Sequence, residues 1–217
     1  MITNPFTGEQ IVENHSGGHG KKKGSFVSTP AFKEKFKGSV VVDSNGDPLP
    51  VYHGTDAEFT EFKESELTRS AAGHGFNFTE NEPEAESFGS RTVKAYLNVK
   101  NPYDLSAPMS KQGREGIKAS FEKEMKYHPV TGTPKPLYPG FTEHPAIVKS
   151  RKELASILDK EGASTREISR AVELVVGDYS WTKIKDGAGF DATKLRSKNH
   201  SWWVVHKASS IIIESNE

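Results

Sequence analysis

The feature that most constrains this chain is how its apolar runs are distributed: short β-branched segments crowd both ends, and helix-period segments fill the middle. "SVVVD" and "LPVYH" flank the turn signal "SNGDP" and read as a hairpin. "GHGFNF" and "TVKAYLNV" add two more strand-like runs, the second stopped by Asn101-Pro102. "GFDATKL", "SWWVVH" and "SSIIIE" supply the last three. Between the two groups, Ile117, Phe121 and Met125 recur at helical spacing. The pairs Ser150–Glu153 and Ser164–Glu167 form capping-box patterns, each opening a helix, the second ending near Gly177. Strands at both ends with helices between them predict an α+β domain.

Ahead of the strands, "STPAFKEKFKG" predicts a short helix: Thr29 caps it, Pro30 suits its first position, and Gly38 stops it. The domain is expected over residues 26–217, behind a polar, glycine-rich, flexible tail at 1–25. His15 and His19 in that tail sit four apart, yet the glycines between them oppose the helix that would align them on a metal or phosphate. Residues 128–148 hold five prolines and read as a loop or lid. The chain has no cysteine, which excludes disulfides, thiolate catalysis and Cys-based zinc sites. Lys plus Arg and Asp plus Glu both number 29, so no global field draws in nucleic acid or membrane. No apolar run nears the roughly 20 residues that cross a bilayer, and a cytoplasmic protein with no membrane partner and no metal is expected.

Chemistry must then come from histidine, carboxylates, hydroxyls or backbone. The strand "LPVYH" ends on His53, followed by Gly54 and Thr55. A lone histidine at a strand end is as a rule a hydrogen-bonded packing residue. Three features shift the reading toward a ligand. Gly54 removes a side chain beside the imidazole, so that a ligand can reach backbone N–H and C=O. Gly73 and Gly75 open the next strand without bulk, and Phe88 follows at a spacing that can return a ring to the same cleft.

Taken in order, "VVVDSNGDPLPVYHGTDAEFTEF", "GFNFTENEPEAESFG", "YLNVKNPYDL" and "WWVVHKASSIII" resemble the ADP-ribosyltransferase domain of phage and mobile-element polyvalent proteins, in the diphtheria-toxin and poly(ADP-ribose) polymerase branch. The resemblance covers residues 26 to 213. It implies a split β-sheet core with peripheral helices and a cleft for NAD, which is the substrate. It also implies that His53 bonds a ribose hydroxyl, that the Gly54 backbone holds the nicotinamide carboxamide, and that Thr55 supports the turn. The family's Gly-x-Tyr-Phe pattern falls on Gly75-Phe76-Asn77-Phe78, with Asn77 in place of the tyrosine. The stacking aromatic, eleven residues on, falls on Phe88, which keeps the π-face.

The family's glutamate precedes a late strand, and here no acid stands before Val204-Val205. Either Ser201 or Trp202 occupies that position. Adjacent strand residues face opposite ways, so at least one of Trp202 and Trp203 is expected in the core. Asp191 reads as a turn residue. The function implied is mono-ADP-ribosyl transfer from NAD to a host macromolecule, with His53, Asn77 and Ser201 as catalytic candidates and Gly54, Thr55, Gly75, Phe78 and Phe88 lining the cofactor cleft. A host protein is the expected target. A nucleic-acid target and a module that binds NAD without turnover are the alternatives.

Overall fold

The computed structural model describes residues 2–3, 10–11, 29–66, 68–70, 73–124, 145–197 and 199–214. Strands β1 (Ile2–Thr3) and β2 (Gln10–Ile11) pair antiparallel as a separate two-residue ladder. The rest of the 1–25 segment lies outside the described residues, including His15, His19 and Lys21 to Lys23; so do Met125 and residues 128–144 of the proline-rich stretch, whereas residues 145–148, expected in the same loop, open a helix.

Helix α1 (Pro30–Lys35) starts where the sequence says it must. The Thr29 hydroxyl accepts the Phe32 N–H at 3.2 Å, and Pro30 needs no partner for an N–H it lacks. Phe32 and Phe36, one turn apart, stack with ring centroids 4.4 Å apart and bury against Tyr96 and Ile212.

"SVVVD" does not become a strand. Val42 makes one isolated bridge to Pro48, and the loop between them is held by Asp43, whose carboxylate accepts the N–H groups of Asn45 and Asp47. Pro48 and Pro50 have no N–H to offer, so a regular ladder cannot propagate along that pair.

The main sheet comprises β3 (Pro50–Thr55), β4 (Thr68–Ser70), β5 (Gly73–Thr79), β6 (Arg91–Leu97), β7 (Pro102–Asp104), β8 (Ala192–Arg196), β9 (Ser201–Val205) and β10 (Ile211–Ile213). Its order is β10-β6-β3-β5-β9-β8-β7, with β4 added to β5. Strand β3 runs along β6 for six residue pairs but meets β5 at one pair alone, Tyr52 with Thr79. Past that bridge β5 turns to pair with β9 and β4. The sheet is thus split into two halves that touch at one point, as the α+β reading with a split core expects.

Besides the small cluster under α1, two larger cores lie among the described residues. Val51, Phe76, Phe78, Ala95, Trp203 and Val205 join across one face of the two half-sheets. The second core lies among α3 (Lys111–Glu124), α4 (Pro145–Asp159), α5 (Thr165–Gly187) and β7, where Ile117, Phe121, Leu154, Ile168 and Trp181 pack around Tyr103. Ser164 makes the expected capping box with Glu167. Ser150 does not cap α4, because that helix begins at Pro145, and α5 passes through Gly177 to end at Gly187. Asp191, expected in a turn, stands just past the turn at 188–189 and leads into β8, its carboxylate accepting the N–H groups of Lys100 at 2.7 Å and Asn101 at 3.1 Å.

Candidate functional site

His53 stands just past the one bridge that joins the half-sheets, and its ring spans the opening. Nδ1 lies 2.7 Å from the carbonyl oxygen of Asn77 on β5. A carbonyl only accepts, so Nδ1 carries the hydrogen. Burial pushes the imidazole pKa below its usual value, which keeps the ring neutral at pH 7 and leaves Nε2 with its lone pair. Phe59, Phe62 and Phe78 surround the ring, with centroids 6.2, 5.2 and 5.6 Å away. Phe59 and Phe62, three residues apart in "EFTEF", are site-building residues the motif reading passed over.

Asn77 contributes its backbone to His53 and turns its side-chain amide to the Gly75 carbonyl at 3.3 Å. A Gly75 Cβ would meet a Val204 methyl at 2.6 Å and the Val205 carbonyl at 2.7 Å, so the glycine permits β5 and β9 to close rather than opening space for a ligand. Gly54 has the same kind of role on its side-chain face. A Cβ there would lie 1.9 Å from the Ala85 carbonyl oxygen and 2.9 Å from the Phe88 Cβ. Access to Gly54 is therefore along the strand edge. Thr55 completes the turn by accepting the Ala57 N–H at 3.1 Å.

Helix α2 (Glu82–Ala85) and the 3-10 turn Glu86–Phe88 lie across this end of β3. Thr55 and Gly89 meet closely enough that no Cβ would fit on Gly89. The turn carries Phe88 outward: it is 60% exposed, the most open large apolar ring described, and stands edge-on to Trp202 at 5.4 Å. Trp202 pairs with Thr79 across β5 and β9, while Trp203 is buried in the sheet core. One tryptophan is core and the other faces the exposed ring, as strand alternation requires.

The register of the late strand follows from that alternation. Ser201 is buried and shares the face of Trp203, whereas Trp202 faces Phe88. Trp202, not Ser201, is the β9 residue on the Phe88 side. Sequence reasoning also missed Glu80, which fastens β9: its Oε2 accepts the Ser201 N–H at 2.8 Å and its Oε1 the Trp203 indole N–H at 3.0 Å. Nearby, Glu84 accepts the Thr79 hydroxyl at 3.0 Å and pairs with His200. Among the described residues no group of three or more His, Asp or Glu side chains could hold a metal ion, and no helix is long and apolar enough to cross a membrane.

The structure thus brings His53 and Asn77 together at the split, and Gly54, Phe88 and Trp202 at its outer rim; Phe78, expected to line the cofactor cleft, is instead fully buried in the sheet core, where it backs the His53 ring. No curated protein matches the chain. A crystal structure of an anti-CRISPR protein overlaps 76% of this chain and 94% of its own, at 10% identity and a TM-score of 0.35, a likeness too loose to bear on fold or function. A family model described as ADP-ribosyltransferase in polyvalent proteins matches residues 43–205, which run from the Asp43 turn through the split and its histidine to the end of β9. With that match over most of its length, the chain belongs to the polyvalent-protein ADP-ribosyltransferase family.

Proposed function

We propose that the protein is an NAD-dependent mono-ADP-ribosyltransferase that modifies a macromolecule of a host cell, as a phage or mobile-element product acting in the cytoplasm. The observation that carries this reading is the neutral imidazole at the opening of the sheet. With Nδ1 committed to Asn77, Nε2 is an acceptor for a sugar hydroxyl at a strand edge where Gly54 supplies backbone groups. The exposed face of Phe88 fits a flat pyridinium ring, for which Trp202 forms a second wall. A neutral imidazole acceptor and an exposed aromatic wall on either side of Gly54 are groups that a dinucleotide can use.

Breaking the bond between nicotinamide and ribose builds positive charge on the sugar carbon, so holding the sugar and leaving group in place is much of the work. His53 and Gly54 orient, and the rings exclude water. Strand β9 carries no carboxylate from Ser201 to Val205, which supports single transfer over chain growth. The same observation favours the second reading, a module that binds NAD without turnover.

Incubation of the protein with labelled NAD and a bacterial lysate separates the two. Transfer places label in macromolecules, in the protein fraction for a protein target and in the nucleic-acid fraction for the alternative target. NAD binding without label leaves the module.

A further inference from the structure

Among the described residues around Phe88 and Trp202, one carboxylate is held yet incompletely used. Glu84 Oε2 accepts the Thr79 hydroxyl at 3.0 Å and meets the His200 imidazole Nε2, while Oε1 takes no hydrogen bond among the described residues. Thr79 is buried and lies directly across from Trp202, and Phe88 follows Glu84 by one helical turn, so Glu84 is anchored beside Trp202 on the segment that carries Phe88. The neighbouring acids are otherwise engaged. Both oxygens of Glu80 fasten β9, and Glu82 lies by the Tyr52 phenol, whose pKa burial and that carboxylate raise.

We propose that Glu84, positioned by Thr79 and His200, is the anionic group of this site and touches the sugar whose glycosidic bond breaks. The inference rests on the reading of the protein as an NAD-dependent transferase. A fixed carboxylate beside the sugar carbon stabilises the charge that develops there, and it needs little reorganisation because the Thr79 hydroxyl already holds it, with the His200 ring against the same oxygen. In the step, the bond from C1′ to the nicotinamide nitrogen breaks and its electron pair leaves on neutral nicotinamide. A lone pair of the acceptor, a hydroxyl or amine of the target or a water molecule, forms the new bond to C1′, and the acceptor's proton passes to the Glu84 carboxylate. His200 and Thr79 are positioning residues.

The test compares wild type with Glu84→Gln, His200→Gln and, as a control on the same segment, the exposed Glu86→Gln. Nicotinamide release from NAD gives kcat and KM, and the NAD-induced rise in melting temperature reports binding. Glu84→Gln is expected to lose on the order of a hundredfold in kcat while its NAD-induced melting shift persists. His200→Gln is expected to lose about tenfold, also in kcat rather than KM, and Glu86→Gln to match wild type. A folded Glu84→Gln that releases nicotinamide within twofold of wild type overturns the proposal and leaves the transferase reading intact. If Glu84→Gln does not fold, His200→Gln decides: an unchanged kcat overturns the proposal, and a kcat loss with NAD binding retained supports it. A wild type that neither binds NAD nor releases nicotinamide overturns the transferase reading and this proposal together.

Discussion

At the scale of single residues, the site is built as much by what is missing as by what is present. The room for a Gly54 side chain is filled by the Ala85 carbonyl, so Gly54→Ala should cost about 3 kcal/mol by forcing α2 off the strand, read as a lower urea midpoint. Phe88 behaves in the opposite way. Its ring is exposed, so Phe88→Ala should change stability by less than about 0.5 kcal/mol yet weaken NAD binding several-fold in calorimetric titration, while Phe88→Tyr keeps the π-face and the affinity. A Phe88→Ala variant with wild-type affinity would remove the stacking role. That His53, Gly54 and Phe88 come to the same end of β3 could be read from the sequence because a motif fixes their order and spacing. Glu80 and Glu84 could not. Their partners, Trp203 and His200, are more than 100 residues away, and no local pattern marks a carboxylate that will meet them.

Elements whose signals are local were legible. The Thr29 cap, the Ser164 capping box and the strands β5, β6, β8, β9 and β10 each carry their own start, stop or alternation. Elements decided by their neighbours were not. β7 begins at Pro102 itself, where the sequence signals a stop, because a parallel partner, β8, accepts it from 90 residues later in the chain. The Gly177 stop is overridden because one glycine costs a helix only about 1 kcal/mol, which the packing of α5 on α3 and α4 outweighs. The attachment of β9 can be tested at this scale. Glu80→Ala would leave the Trp203 indole N–H and the Ser201 N–H without their carboxylate, and a loss of about 3 kcal/mol in denaturant unfolding is expected. A loss under about 0.5 kcal/mol would mean that the strand is held by its ladder alone.

Across the whole molecule, the buried His206 and the half-buried His53 make stability fall with acid. Burial and the neighbouring Lys185 charge push His206 down to about 3, and burial lowers His53 as well. Unfolding returns both to ordinary values near 6.5, so the unfolded chain binds more protons below that pH and stability is lost as pH falls from 6.5 toward 5. With His206 protonating only on unfolding, its slope approaches about 1.4 kcal/mol per pH unit at the lower end of that window, and the lowered His53 adds to it in the same direction. A flat urea stability between pH 7 and 5 would contradict that account of the two rings. Ligand binding acts in the other direction, because NAD bound to the folded state alone stabilises it by mass action. The most direct measurement of the central claim is the melting temperature of wild type and His53→Ala with and without saturating NAD. The account predicts a clear rise for wild type, and for a folded His53→Ala a rise that is small or absent, matching an affinity loss of roughly five- to a hundredfold for one lost hydrogen bond to a sugar hydroxyl. Equal rises in the two proteins, or none in wild type, would contradict it.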